Sequence, residues 1–243
     1  MTPSAVRFDQ VRKSYGHQPV LQGISLDIAV GATFGLVGIN GAGKTTLIKC
    51  LLDFCHVDGG RIEIFGTRHA ISQSRARLAF LPERFMPPYF LTGRDFLNYM
   101  LTLDRRAAGE DKVRAMFSAL DLDAAALDKP VRSYSKGMTQ KLGLAACLLA
   151  EPDLLILDEP MSGLDPLARA RVKQLLRQLR DQGRTLFFTS HALSDVEEIC
   201  EHMVVLHQGR LYFSGNPQEL KQRYASDSME QAFLECIEDQ VHG

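Results

Sequence analysis

The residues "GINGAGKT", Gly38–Thr45, match the spacing G-x-x-x-x-G-K-[ST] that is typical of a phosphate-binding loop. A triphosphate carries several negative charges on closely spaced oxygens, and backbone N–H groups converge on such oxygens only where no Cβ intervenes. Gly38, Gly41 and Gly43 meet this need. The segment therefore predicts a backbone cradle for phosphate groups.

The residues that end this segment carry its chemistry. Lys44 supplies a positive charge for the β- and γ-phosphates, and the Thr45 hydroxyl is a ligand for Mg²⁺. A helix that starts near Lys44 directs the positive end of its dipole at the same phosphates. A dinucleotide fingerprint is excluded, because it needs glycine at the position of Thr46.

The flanking sequence predicts a strand before the loop and a helix after it. "ATFGLVG" is a buried-strand pattern, and "TTLIKCLLDFC" places apolar residues at helical spacing. Later apolar runs such as "DLLILD" and "TLFFTS" alternate with amphipathic helices, which favours a parallel-sheet α/β core. At the start of the chain, the alternating segments "VRFDQV" and "ISLDIA" predict strands with one buried face.

We therefore expect an α/β fold: a P-loop NTPase core with a mostly parallel sheet, an N-terminal antiparallel β subdomain and an inserted helical subdomain. The helical subdomain covers about residues 88–150, and a helical tail covers about 217–243. Residues 1–243 are expected to form a single domain. In the tail, Met229 and Phe233 share one helix face, which predicts packing on the domain itself or, alternatively, binding to a partner.

Polar residues follow two of the predicted parallel strands. Asp158 and Glu159 end "LLILDE", and His191 follows "FFTS". A divalent ion bound to phosphates favours a nearby carboxylate, which suits Asp158, whereas Glu159 can act as a general base on a water beside the γ-phosphate. His191 can hydrogen-bond the γ-phosphate and hold that water. The alternatives are a solvated acidic pair and a structural histidine; the upstream phosphate loop favours the catalytic interpretation.

Composition limits the partners of the chain. The 28 Lys and Arg residues against 29 Asp and Glu give a net charge of −1, so the charge does not favour a nucleic-acid partner. The five cysteines form no CxxC pair, which favours reduced core residues over disulfides or a metal site. Arg7 and Asp9 argue against a signal peptide, and the longest apolar stretches fall short of the ~20 residues that span a bilayer.

Over roughly residues 4–220 the sequence resembles the nucleotide-binding subunit of ABC transporters. "GINGAGKT" is similar to the Walker A loop of that family, "LLILDE" to its Walker B strand, "SGLD" (162–165) to its D-loop, and His191 to its switch histidine. Tyr15 stands where the family has an aromatic residue that stacks on adenine; the alternative is a surface tyrosine in a turn. The resemblance implies that the chain binds ATP with Mg²⁺ and couples ATP hydrolysis to transport.

The segment "YSKGM", Tyr134–Met138, occupies the place of the family's LSGGQ signature. The resemblance implies that this segment faces the γ-phosphate held by a second subunit, so that two ATPs are enclosed in a head-to-tail dimer. Ser135 can cap the helix that follows, and Gly137 lets backbone amides approach phosphate. Three of the five residues depart from the consensus, and one of them, Lys136, adds positive charge near the partner's phosphate if it points that way.

Glu83, in "FLPERF", stands where the family usually has the Q-loop glutamine. A carboxylate can ligand Mg²⁺ with more charge but without the neutral geometry of glutamine, which leaves the role of Glu83 open. The resemblance implies the catalytic residues Lys44, Glu159 and His191 and the metal ligands Thr45, Glu83 and Asp158. It implies nucleotide contacts from Tyr15, Gly38, Ile39, Asn40, Gly41, Ala42, Gly43, Lys44, Thr45 and Thr46 and, across the dimer, from Ser135, Lys136, Gly137 and Met138.

Six aromatic residues lie between Phe80 and Tyr99. Their density predicts an apolar groove at the surface; the alternative is ordinary core packing. In the family, this part of the helical lobe receives a coupling helix from the membrane subunit. The resemblance therefore implies separate transmembrane permease subunits, a second nucleotide-binding subunit in a homodimer, and a cytoplasmic location, peripheral on the cytoplasmic face of the cell membrane. The tail "SMEQAFLE" resembles the ends of ATPases from exporters, which favours export.

Three other functions compete with this interpretation. Soluble ABC ATPases that act on ribosomes or DNA usually carry two cassettes or a long coiled-coil insertion, whereas this chain has one cassette and almost no net charge. A small-molecule phosphotransferase with a phosphate loop would lack both "YSKGM" and "SGLD". A nucleotide-gated regulatory module without turnover would have no need of Glu159 as a base.

Overall fold

The computed structural model describes residues 3–239, and this range contains ten strands and eight α-helices. The strands are β1 (Ser4–Tyr15), β2 (Gln18–Ala29), β3 (Thr33–Val37), β4 (Gly59–Ile64), β5 (Thr67–Arg68), β6 (Leu78–Leu81), β7 (Leu154–Asp158), β8 (Thr185–Ser190), β9 (His202–His207) and β10 (Arg210–Gly215). The helices are α1 (Lys44–Leu51), α2 (Gly93–Leu103), α3 (Glu110–Ala119), α4 (Lys136–Leu149), α5 (Pro166–Asp181), α6 (Leu193–Ile199), α7 (Pro217–Arg223) and α8 (Met229–Asp239). Within these residues, no helix combines the length and apolar character that crossing a bilayer requires.

A six-stranded sheet forms the centre of the fold, in the order β10-β9-β3-β8-β7-β6. The five strands from β9 to β6 are parallel, and β10 pairs antiparallel with β9. Strands β3, β7 and β8 are buried along their whole length, as their continuous apolar runs predict. Because the carboxyl ends of parallel strands meet at one edge, the glycine-rich loop after β3, Glu159 after β7 and His191 after β8 converge there.

A smaller antiparallel sheet, in the order β2-β1-β4-β5, confirms the predicted N-terminal β subdomain. Its inner face follows the alternation in the sequence, since Phe8 is buried while its neighbours Arg7 and Asp9 are exposed. Phe8 lies opposite Leu26 in β2 and Ile62 in β4. The turn between β1 and β2 brings Tyr15 to the edge of the phosphate loop.

Helices α2, α3 and α4 follow one another in the chain between the paired strands β6 and β7. Thr92 forms a capping box with Asp95 at the start of α2, and the Ser135 hydroxyl accepts a 3.2 Å hydrogen bond from Met138 N at the start of α4. Helix α4 is buried from Gln140 to its end, so it packs as an internal helix. The hydroxyl-capped start of α4 is therefore held at a fixed place on the surface.

The segment after β6 is tied to α4 by close packing. A Cβ added to Gly143 of α4 would lie 2.6 Å from Leu81 Cδ1 and 2.8 Å from Phe85 Cδ1. The Phe85 ring also makes an edge contact with Phe96, with centroids 5.6 Å apart. Glu83 lies between Leu81 and Phe85, the two residues that pack on Gly143.

Residues 229–239 of the predicted helical tail form α8, which packs on its own domain. Residues 240–243 of that prediction lie outside the described part of the chain. Met229, Phe233 and Cys236 are buried, and Ile237 packs against the same apolar cluster. Four short elements, β5, β6, α6 and α7, had no separate prediction. Their lengths of two to seven residues are too short for a hydrophobic period to show.

Candidate active site

A cleft of about 710 Å³ lies at the carboxyl edge of the larger sheet. This volume is within the range that is typical of small-molecule sites. Its walls come from the β1–β2 hairpin, the loop after β3, the segment after β6 and the ends of β7 and β8. The lining residues are Tyr15, Val20, Ile39, Asn40, Gly41, Ala42, Gly43, Lys44, Thr45, Thr46, Glu83, Asp158, Glu159 and His191.

The glycines of the loop after β3 are required by its geometry. A Cβ on Gly38 would lie 2.3 Å from the carbonyl oxygen of Leu206 in β9, which real structures do not tolerate. Gly41 and Gly43 have φ values of +82° and +110°, which side chains rarely adopt. Gly209 N donates a 3.1 Å hydrogen bond to the Ala42 carbonyl, so the β9–β10 turn holds the loop from outside.

Lys44 is buried at the first position of α1. Its Nζ donates hydrogen bonds to the carbonyl oxygens of Gly38, 2.5 Å away, and Ile39, 3.3 Å away. Burial lowers the pKa of Lys44, and the nearby carboxylates of Glu159 and Asp158 act in the opposite direction. Because an anion in the cleft would offset the loss of hydration, this ammonium group is suited to a phosphate ligand.

Asp158 ends β7 with its carboxylate facing the cleft. Its Oδ1 accepts a 2.6 Å hydrogen bond from Thr189 Oγ1, and its Oδ2 accepts one of 3.4 Å from Thr45 Oγ1. Burial raises the pKa of the Asp158 carboxyl, and the hydrogen bond from Thr189 partly opposes this. A divalent cation would stabilise the charged form, and hydroxyl and carboxylate oxygens are the donors that Mg²⁺ prefers, so Thr45 and Asp158 fit that ion.

Glu159 and His191 form a pair at the mouth of the cleft. The backbone of Glu159 is left-handed, with φ 52°, a conformation that costs ~1 kcal/mol or more in a residue other than glycine. Its N–H donates a 3.0 Å hydrogen bond to Thr189 Oγ1, and its Oε2 lies 2.7 Å from His191 Nδ1. The Glu159 side chain is 10% exposed and the imidazole 65% exposed. The turn therefore directs a mostly buried carboxylate at a histidine that solvent can reach.

Glu83 lies in the exposed segment after β6 and lines the same cleft. Its charge contributes to raising the pKa of Asp158 and to opposing the fall in the pKa of Lys44. The structure thus brings Glu83 into the same cleft as Thr45 and Asp158, the other two residues for which a role at the metal was expected.

Tyr15 lies at the open end of the cleft with half of its surface exposed. Its hydroxyl is 3.8 Å from Cys55 Sγ, and Lys13 Nζ lies 5.4 Å from the centroid of its ring. These contacts hold the Tyr15 ring at the rim of the cleft, and Val20 is another of the residues that line the cleft. An aromatic ring in this position can stack on a nucleobase whose phosphates occupy the glycine loop.

Replacing Tyr15 tests this placement. Tyr15→Ala is expected to weaken ATP binding by about fivefold to a hundredfold, because stacking of a base on an aromatic ring contributes ~1–3 kcal/mol. Tyr15→Phe keeps the ring and is expected to bind ATP as the unmodified chain does. Titration with a fluorescent ATP analogue measures the Kd. Tyr99→Ala is the control, because Tyr99 is 53% exposed but lies outside the cleft; equal Kd values for Tyr15→Ala and Tyr99→Ala would contradict stacking.

The segment Ser135–Met138 lies outside this cleft. Lys136 is exposed and extends over the loop of residues 162–165, where a Cβ on Gly163 would lie 3.0 Å from Lys136 Cε and 3.3 Å from its Nζ. The start of α4 and the 162–165 loop thus form one exposed surface. Residues 135–138 are therefore not among the residues that line the cleft of this chain.

Two residues of the site were absent from the sequence-based prediction. Thr189 bonds both Asp158 and the backbone of Glu159, and its signal was a hydroxyl residue in the otherwise apolar run "TLFFTS". Val20 lines the cleft because the β1–β2 hairpin folds over the loop, and a Cβ on Gly43 would lie 3.0 Å from the Val20 carbonyl oxygen. Nothing in the sequence around Val20 points to this contact.

Comparisons with known proteins show the family of the chain. The family model described as ABC transporter matches residues 21–162. An ABC transporter ATP-binding protein of Synechocystis sp. is 41% identical over 204 residues, which cover 82% of this chain and 57% of the relative. The Nod factor export ATP-binding protein I of Paraburkholderia xenovorans is 38% identical over 228 residues, which cover 90% of this chain and 73% of the relative.

A solved structure gives the same result at the level of the fold. The ATP-binding subunit of an ABC transporter superposes with a TM-score of 0.87 at 26% identity, covering 96% of this chain and 100% of that one. The chain spans 57% of the length of the Synechocystis relative. The family match and these identities show that the chain belongs to the ABC transporter family, in which the relatives and the solved structure named above are ATP-binding proteins or subunits.

Proposed function

We propose that the chain powers export by separate membrane subunits, through the closing of two copies head to tail around two ATPs. The observation that carries this proposal is the 2.7 Å contact between Glu159 and His191 at the mouth of a cleft that the signature residues do not line. The cleft thus contains a candidate base for hydrolysis, and the signature of a second copy would supply the groups that this chain does not place there. The name of the Nod factor export relative supports the direction of transport.

The bound ATP is held by groups of known charge and position. The N–H groups of the loop Gly38–Lys44 surround the phosphates, and the Lys44 ammonium neutralises part of their charge. Thr45 and Asp158 would hold Mg²⁺, with Glu83 as a further carboxylate that lines the same cleft. When bound, such an ion would withdraw negative charge from the phosphate oxygens.

Hydrolysis uses the pair at the mouth of the cleft. Glu159 accepts a proton from the attacking water, and its mostly buried carboxylate is fixed by the turn after β7 and by Thr189. His191 is hydrogen-bonded to the same carboxylate, and its exposed edge faces the γ-phosphate and the water.

The second copy completes the wall of the cleft. In the closed pair, the start of α4 with Ser135, Lys136 and Gly137 faces the γ-phosphate in the other copy, where the helix dipole and the Lys136 charge stabilise it. The 162–165 loop lies beside it and contacts the same interface. Opening and closing of the pair is the motion that the membrane subunits follow.

An apolar surface on the helical region fits the membrane subunits. Met86 is 85% exposed, and Tyr89 and Phe90 are each 69% exposed, next to one another in the segment between β6 and α2. Exposed apolar side chains at this density mark an interaction site. Docking there would place the chain on the cytoplasmic face of the membrane, and it would couple the site through Glu83, which lies in the same segment.

Removal of the apolar surface tests the docking proposal. The double substitution Tyr89→Asp/Phe90→Asp is expected to release the chain from membranes of its own cells and to leave ATP binding intact. The reason is that two negative charges replace the apolar side chains that would be buried against the membrane subunits. Sedimentation of membranes with a tagged chain measures the effect. Leu234→Asp is the control, because Leu234 is 55% exposed on α8. Equal amounts of Tyr89→Asp/Phe90→Asp and of Leu234→Asp in the membrane pellet would contradict docking at this surface.

A further inference from the structure

A buried ion pair links the two helices that follow the catalytic loops. The side chain of Asp195 in α6 is 2% exposed, and both of its oxygens accept hydrogen bonds of 3.0 Å from Arg169 Nε in α5. A terminal nitrogen of the same guanidinium also donates to Asp195 Oδ2. Lys173 Nζ lies 3.9 Å from the other carboxylate oxygen. The carboxylate is thus held in one orientation by a planar fork.

The position of this pair connects two functional loops. Arg169 lies in the first turn of α5, directly after the 162–165 loop, and Asp165 caps that turn with a 2.9 Å hydrogen bond from Ala168 N. Asp195 lies in the first turn of α6, four residues after His191. Each partner is therefore within about one helical turn of a loop at the proposed dimer surface.

The environment of the pair makes it stiff. A buried carboxylate without a close positive partner is strongly destabilising. A shift of either helix that separated Asp195 from Arg169 would therefore be unfavourable. Arg169 is also near enough to Glu159 for that carboxylate to contribute to raising the pKa of Arg169, although Asp195 is the main cause. The pair is thus a rigid link close to the hydrolytic site.

We propose that Arg169 and Asp195 are positioning residues that hold His191 against Glu159 by fixing the start of α6 to the start of α5. This inference rests on the proposed function, because it assigns the Glu159–His191 pair to hydrolysis. Neither residue touches the cleft, so their effect is on the geometry of the reaction and not on ATP affinity.

Asp195→Asn and Arg169→Lys provide the test, since each keeps the size of the side chain while it removes the charge or the fork. Both are expected to lower kcat of Mg²⁺-ATP hydrolysis by about tenfold, because misplacing a catalytic group by a fraction of an ångström reduces the rate by about that factor. Neither should change KM or the Kd of ATP. Arg177→Ala is the matched control, because Arg177 pairs with Glu198 across the same two helices at 35% exposure, and its kcat should not change.

A double-mutant cycle distinguishes an effect of Asp195 on the position of His191 from an effect on the stability of the fold. If Asp195 acts through His191, then Asp195→Asn should add no further loss in a His191→Ala background, in single-turnover measurements. The inference is overturned if Asp195→Asn and Arg169→Lys match Arg177→Ala in kcat, or if their losses add fully to that of His191→Ala. Loss of activity in His191→Ala, with normal rates in both positioning variants, would leave the proposed function standing and remove this inference alone.

Discussion

Glu159→Gln is expected to lower steady-state ATP hydrolysis by about 10²-fold or more while ATP still binds with an unchanged Kd. The amide has the shape of the carboxylate and keeps a hydrogen bond to His191 Nδ1, but it cannot take a proton from water. The turn after β7, with its left-handed residue and its bond to Thr189, does not depend on the charge of the side chain. Glu159→Gln should therefore keep the Kd of ATP and lose the rate of hydrolysis.

The same substitution is expected to trap the closed pair. With hydrolysis blocked, the ATP that holds two copies together persists, so size-exclusion chromatography with Mg²⁺-ATP should show a dimer that is absent without nucleotide. Removal of Mg²⁺ with EDTA should abolish the trapped dimer, because the ion that Thr45 and Asp158 would hold is then missing.

Glu151→Gln is the matched control for Glu159→Gln. Glu151 also has a left-handed backbone, with φ 46°, and stands near the opposite end of β7, where it pairs with Lys112 at the surface. Its replacement should leave kcat unchanged. Hydrolysis by Glu159→Gln at the rate of Glu151→Gln would show that Glu159 is not the base.

The sequence predicted the parts of the site that carry a local pattern. The glycine loop, the carboxylates after β7 and the histidine after β8 each follow a strand with a clear apolar run, so their meeting at one sheet edge follows from the parallel topology. Contacts between distant segments had no such pattern. Thr189 is a hydroxyl in a buried strand, and its bond to Asp158 depends on the register in which β7 pairs with β8.

Side-chain contacts between helices and strands that are far apart in the sequence were also not predicted. The salt bridge between Arg169 and Asp195 joins residues 26 positions apart, and its partners look like ordinary surface charges of two amphipathic helices. The packing of Leu81 and Phe85 on Gly143 likewise depends on where α4 lies against β6. Tertiary placement fixes such contacts, whereas composition and periodicity do not.

A mixture of two inactive variants is expected to regain part of the activity. Lys44→Ala removes the charge that holds the phosphates, and Ser135→Arg places a bulky side chain at the capped start of α4. If each site combines the loop of one copy with the signature of the other, a homodimer of either variant has no intact site. A mixed dimer has one, because the intact loop of one copy meets the intact signature of the other.

The fraction of ATPase activity that the mixture regains distinguishes sites formed by two copies from sites formed within one copy. With random pairing about half of the dimers are mixed and each has at most one working site, so the mixture should reach at most about a quarter of the activity of the unmodified chain. Ser118→Arg, on an exposed face of α3, should be fully active alone and controls for the added arginine. Steady-state hydrolysis at fixed total protein measures the effect. Full activity of the mixture, or full activity of Ser135→Arg alone, would contradict sites completed by a second copy, because the start of α4 would then have no part in hydrolysis.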